Sequence, residues 1–219
     1  MTGLFHTSTT SAPIVFDAAG MQCTKAAVGS MDNNAYLLDA GGPLLLIDAP
    51  DEAERLLALL DGRPLAAVVT THRHPDHLQA LAEVVRRTGA TAYAGGPDAS
   101  AIEQQTGVAS RRVWTGDRIE CDGIRLEVVG LVGHTPGSVA LVLHGVDGSP
   151  THIFSGDSLF PGGVGKTSSP ADFASLLGEV TSRLFDRFAD DTVVHPGHGD
   201  ATTLGAERPH LKQWQARGW

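Results

Sequence analysis

The run Leu65–Thr70, LAAVVT, leads directly into THRHPDH, and this junction constrains the chain more than any other segment. A short run that is apolar without alternation fits a strand buried on both faces, which needs cover on either side of its sheet. Helical cover stands before and after it. Asp51–Leu60 sets Leu56, Leu57 and Leu60 on one side, with Asp51 and Glu52 in the first turn, where negative charge suits the helix dipole. Leu78–Arg87 repeats Leu78, Leu81, Val84 and Val85 at helical spacing and ends in Arg86, Arg87 and the stop residue Gly89. Between strand and second helix lie three imidazoles and a carboxylate: His72, His74, Asp76 and His77.

The rest of the chain is mixed in order. Ala35–Asp39 and Leu44–Asp48 flank the Gly41-Gly42-Pro43 turn and read as a hairpin. Strand Thr91–Ala94 and helix Asp98–Gln105 follow. A series of strands then runs through Arg118–Glu120, Ile124–Val129, Ser138–Leu143 and Thr151–Phe154. Helix Pro170–Arg183, strand Thr192–His195 and a last helix over Leu204–Gln215 complete the series. Strands in meanders with helices between and after them predict an α/β (α+β) chain with two sheets packed face to face and helices outside. Residues 14–219 are expected as a single domain, and MTGLFHTSTTSAP (1–13) as a flexible, Ser/Thr-rich tail. That tail lacks the basic and apolar regions of a signal peptide.

Composition narrows the function classes. With 219 residues, 42% hydrophobic and 19% charged, the chain has the balance of an ordinary globular protein. A net charge of −9 argues against a general nucleic-acid binder, and no apolar run is long enough to span a membrane. Cys23 and Cys121 stand far apart without a CxxC partner, as expected of reduced thiols in a cytoplasmic protein. Gly165-Lys166-Thr167 is the ending of a phosphate-binding loop, but the glycine needed five places before the Gly-Lys pair is Phe160. Its side chain blocks the inward turn of backbone N–H groups, so nucleotide binding is set aside.

Three more stretches repeat the pattern of a strand ending in a polar residue on a Gly-rich loop. They are VGHTPGS with His134, FSGDSLF with Asp157, and VVHPGHGD with His195 and His198. Strand-end loops are where a rigid scaffold presents reactive groups. Neutral imidazoles and carboxylates are the ligand types of a borderline divalent ion such as zinc. A strand-end His or Asp is commonly a turn former, and Asp76 is also placed to cap the helix that follows, so each loop alone says little. The four together point to metal. His6, His144, His152 and His210 lie outside these loops and read as surface or core residues; His195 reads either as a residue orienting a ligand or as strand-end packing.

HRHPDH, GHTPGS, SGDSLF and PGHGD, in this order, resemble the metallo-β-lactamase superfamily, over about residues 30–204. The resemblance implies a four-layer αββα sandwich with metals in a cleft at one edge of the sheets. By motif, His72, His74 and His134 would hold a first metal and Asp76, His77 and His198 a second, with Asp157 bridging them. Two divalent ions are implied, zinc before iron or manganese. A pair about 4 Å apart lowers the pKa of a shared water towards about 7, giving a hydroxide that attacks a polarised carbonyl. Asp76 would orient that nucleophile as acceptor.

SGDSLF and GVGK are most similar to glyoxalase II and its short single-domain relatives. There a basic residue at the position of Lys166 binds a carboxylate of glutathione, a suitable role for a flexible cation beside an open cleft. The expected substrate is therefore a small anionic thioester. Two departures bear on the thiol. The segment 199–219 has room for one helix rather than a further helical domain, and Thr167 and Ser168 stand where the family has aromatic residues. The persulfide dioxygenase relatives use one iron held by residues matching His72, His134 and Asp157, which are present here as well. A lactonase would share the scaffold and differ in the pocket.

Overall fold

The protein is described by a computed structural model, which covers residues 3–218. Its first sheet has seven strands in chain order: β1 (Ile14–Ala18), β2 (Met21–Val28), β3 (Asn33–Asp39), β4 (Leu44–Ile47), β5 (Leu65–Thr70), β6 (Thr91–Gly95) and β7 (Arg111–Val113). The first four are antiparallel, and β4 to β7 run parallel with helices α1 (Ala53–Ala58), α2 (Leu81–Thr88) and α3 (Gly96–Thr106) in the crossovers. The second sheet uses β8 (Arg118–Cys121), β9 (Ile124–Gly130), β10 (Val139–Leu143), β11 (His152–Gly156), β14 (Val193–Pro196) and β15 (Thr202–Thr203). In chain order, the small hairpin β12–β13 (Leu159–Phe160, Gly163–Val164) and helix α4 (Pro170–Val180) come between the paired strands β11 and β14. Helices α5 (Leu204–Glu207) and α6 (Leu211–Arg217) end the described chain.

The alternation of side chains along the buried strands builds the layers. On β4, Leu45 and Ile47 enter the core between the sheets, while Leu44 and Leu46 join Leu56, Leu81 and Ile102 under the outer helices. On β10, Val139, Leu141 and Leu143 face the inter-sheet core, and Ala140 and Val142 pack with Leu176, Val180 and Trp214. Both faces are therefore apolar, which is why these runs lack a polar alternation. Each large side chain buried in this way stabilises by roughly 1.5–3 kcal/mol. The result is the expected αββα sandwich.

Several elements differ from their sequence-based bounds. Strands β1, β2 and β7 and the two-residue strands β12, β13 and β15 have no counterpart in the sequence reading; β2 carries the fully buried Lys25, which breaks its apolar pattern. Helix α2 begins at Leu81 rather than Leu78, because the N–H groups of Gln79 and Ala80 bond Pro50 and Ala49 carbonyls instead of a helix ladder. Asp76 caps no helix: it lies inside a single 3₁₀ turn, Pro75–His77, and its carboxylate accepts from Asn33. Pro209 divides the last helix, leaving a 3₁₀ turn at Arg208–His210. Residues 3–13 are tied to the domain: Arg55 donates to the carbonyls of Thr9 and Ser11, and Thr9 N–H donates to Asp32.

Candidate metal centre

The motif-bearing loops leave the same end of the sandwich. His72 and His74 follow β5, His134 lies between β9 and β10, Asp157 follows β11 and His198 follows β14. Two parallel pairings, β4 with β5 and β11 with β14, align the strand ends that release these loops. The 3₁₀ turn at Pro75–His77 then bends Asp76 and His77 back toward them.

All seven residues converge. His72, His74 and His134 offer ligand atoms within 4.8 Å of one another, as do Asp76, His77 and His198; His72, His77 and Asp157 form a third such set that joins the two. His74 Nδ1 is 2.9 Å from His134 Nε2, and His77 Nε2 is 3.2 Å from His198 Nε2. Asp157 reaches both groups: Oδ1 is 3.5 Å from His77 Nε2, and Oδ2 is 3.7 Å from His134 Nε2 and 3.5 Å from His198 Nε2.

The residues fit a divalent cation pair by their chemistry and by what is left unpaired. Buried polar atoms almost always have a hydrogen-bond partner. His72 Nε2 and Asp157 Oδ1 are buried and have none. Close backbone approach keeps the centre compact. A Cβ at Gly197 would fall 2.2 Å from Asp157 Oδ1, and one at Gly165 would fall 1.8 Å from the Asp157 carbonyl oxygen. Glycine is therefore required at both positions.

Burial, followed by the neighbouring imidazoles, holds the His72 pKa well below its ordinary value, so the ring is neutral and able to ligate. Burial also opposes charge on His77 and His198. At His77 it is outweighed by Asp48, Asp157 and Asp76, and the pKa rises. At His198 the bond and charge of Asp157 lead a set that raises it to about 9. Burial would raise Asp157, but the hydrogen bond with His198 and the charges of His77, His198 and His134 lower it. The centre thus favours ionised carboxylate, with room for positive charge among its imidazoles.

Three supporting residues escaped the sequence reading. Asp48, buried at the end of β4, accepts from Thr71 N–H and Thr71 Oγ1 and lies 2.9 Å from His77 Nδ1. Asn33 donates to Asp76 Oδ2 at 2.8 Å. Asp98, buried in the first turn of α3, accepts from Arg73 N–H, Thr135 Oγ1 and Gly137 N–H, linking the loops of His74 and His134. The signal for Asp48 was a carboxylate closing an apolar strand; Asn33 and Asp98 carry no local signal. His195 Nε2 lies 2.9 Å from His152 Nδ1, and its ring stacks among Phe16, Phe154 and Phe5, so it packs the inter-sheet core and bonds none of the seven among the described residues. His152 is likewise buried. Lys166 is exposed, and its side chain has no hydrogen bond or ion pair among the described residues, while its carbonyl oxygen lies 2.6 Å from His134 Nδ1.

A two-sheet sandwich with this donor cluster at one end defines a class of metal-binding proteins whose strand-end loops supply the ligands. Residues 28–198 match the metallo-beta-lactamase superfamily model, and the chain belongs to that superfamily. It is 29% identical over 195 residues to the hydroxyacylglutathione hydrolase GloC of Haemophilus influenzae, a match covering 81% of this chain and 85% of the relative. Its identity to the hydroxyacylglutathione hydrolase of Anaeromyxobacter dehalogenans is 35% over 173 residues, covering 76% of this chain and 61% of that protein, so the match spans about six tenths of the relative's length. Among solved structures, TTHA1623 in a di-iron-bound form superposes with a TM-score of 0.66 at 35% identity, covering 84% of this chain and 96% of that one. No helix among the described residues is long and apolar enough to cross a membrane.

Proposed function

We propose that this protein is a dinuclear metal-dependent hydrolase of a small anionic thioester, of the glyoxalase II type. The observation that carries the reading is the paired donor set, His72/His74/His134 and Asp76/His77/His198, with Asp157 within reach of both. In this reading the first three residues hold one ion and the next three the other, and Asp157 bridges. When bound, such a pair supplies Lewis acidity and a water acidic enough to ionise near neutral pH.

The chain's own groups prepare the site for that chemistry. Asp48 fixes the ring of His77 by its contact with Nδ1, which leaves Nε2 facing His198. Asn33 holds one oxygen of Asp76, so the carboxylate keeps a set orientation as acceptor for the proton of the attacking water. The unpaired Lys166 ammonium receives a carboxylate of the substrate at the cleft mouth. The relatives named as hydroxyacylglutathione hydrolases support glutathione as the thiol. A cytoplasmic location suits such a substrate.

Elemental analysis combined with turnover tests the reading. Two equivalents of divalent metal, with thiol released from a hydroxyacylglutathione thioester and no oxygen consumed, is the expected result. The di-iron form of one relative gives iron a specific claim as the metal. One iron per chain, with oxygen uptake on a glutathione persulfide and no thioester turnover, would replace the hydrolase by a dioxygenase.

A further inference from the structure

Lys25 is fully buried on β2, where packing alone calls for an apolar residue. Burying an ammonium is costly unless it is hydrogen-bonded. Its Nζ donates to the carbonyl oxygens of Phe5 at 2.9 Å and of Gly199 at 2.6 Å. One acceptor belongs to the N-terminal segment, the other to the residue next to His198.

The same two segments are joined along their length. Ala201 N–H donates to the Leu4 carbonyl at 2.8 Å, and His6 Nδ1 lies 2.7 Å from Asp200 Oδ1. A Cβ at Gly3 would fall 2.0 Å from Asp200 Oδ2. Phe5 adopts a φ of +54°, a region that bulky residues avoid, with its ring stacked 4.2 Å from Phe16 and 5.7 Å from His195. That conformation places its carbonyl on Lys25. From β3, Asn34 N–H donates to Gly197 O at 2.7 Å, and its side-chain amide donates to Gly199 O at 2.9 Å. Gly199, at φ +67°, gives the chain a glycine hinge directly after His198. The loop that presents His198 is thus gripped between β3 and the N-terminal segment.

We infer that Lys25 and residues 3–6 form a clamp that fixes His198, so that occupancy of the second metal position depends on the N-terminal segment. The inference rests on the reading of Asp76, His77 and His198 as the ligands of one ion. Lys25 is in this sense a positioning residue: it acts on the metal through the loop.

The test is zinc binding by chelator competition, resolved into first and second equivalents, for the full chain and four variants. They are Lys25→Met, a chain beginning at Thr7, His198→Ala, and Arg55→Ala, which loosens the segment at Thr9 and Ser11, away from the loop. Partners that orient a ligand from outside typically change metal affinity about 10–100-fold. Lys25→Met and the shortened chain should weaken the second equivalent by about that factor and leave the first within about twofold, while Arg55→Ala keeps both. If both variants fold and bind two zinc ions as the parent does, or lose both equivalents alike, the clamp is wrong. If Lys25→Met does not fold, the shortened chain decides. His198→Ala separates the two ideas: an unchanged second equivalent there would refute the metal reading itself.

Discussion

His77 Nδ1 lies 2.9 Å from Asp48 Oδ2, with both side chains buried, and the other Asp48 oxygen accepts the N–H of Thr71. One carboxylate at the end of β4 therefore sets both the path of the strand leaving β5 and the ring orientation of the histidine six residues further along. Asp48 itself takes a φ of +58°, held there by these bonds.

Asp48→Ala should lower metal affinity about 10–100-fold, since His77 loses the partner that fixes its tautomer. Chelator competition measures it. A change confined to thermal stability, with affinity intact, would give Asp48 a purely structural role.

Asp157→Ala should remove at least one equivalent of metal and abolish turnover while the circular dichroism spectrum is kept. Its carboxylate lies within reach of both triads and joins His72 and His77 in the third donor set. Wild-type metal content and turnover in the variant would refute the bridge.

Lys166→Ala should raise KM about fivefold to a hundredfold for an anionic thioester and change kcat little, because an anchor away from the reacting carbonyl binds ground and transition states alike. The substitution spares the Lys166 carbonyl beside His134 Nδ1. A neutral ester should be hardly affected, and rising salt should erode the wild type's preference for the anionic substrate. Equal losses on both substrates would show that the side chain shapes the loop instead.

His195→Phe should flatten the acid limb of stability. Burial, then His152 and Lys25, hold the His195 pKa well below 6.5, so between 6.5 and that lower value the unfolded chain binds the extra proton. Stability from the neutral ring is present above about pH 6.5 and is lost as pH falls below it, by at most about 1.4 kcal/mol per pH unit for one group. Denaturant midpoints of both proteins at pH 7.5 and 5.5 give the difference. Parallel pH profiles would count against this account.

The local patterns set out the layers and the loops of the centre. The unbroken apolar runs at Leu65–Thr70 and Val139–Leu143 required cover on both faces, and the sandwich provides it. His72, His74, His77, His134, Asp157 and His198 stood out because imidazoles and carboxylates were concentrated at strand ends. Strand β2 escaped because Lys25 interrupts its apolar pattern, and its burial depends on carbonyls supplied by Phe5 and Gly199.

Sequence by itself determined the alternating faces, the helix stops and the residue types of the donor cluster, since these depend on periodicity and on side-chain chemistry over a few residues. Tertiary structure alone decided that Asp48 meets His77, that Asn33 rather than a helix takes Asp76, that His195 packs the core, and that residues 3–6 lie against the segment that follows His198. Each of these joins positions distant in the chain. Their hydrogen bonds outweigh desolvation only after the two sheets have closed and removed water from both partners.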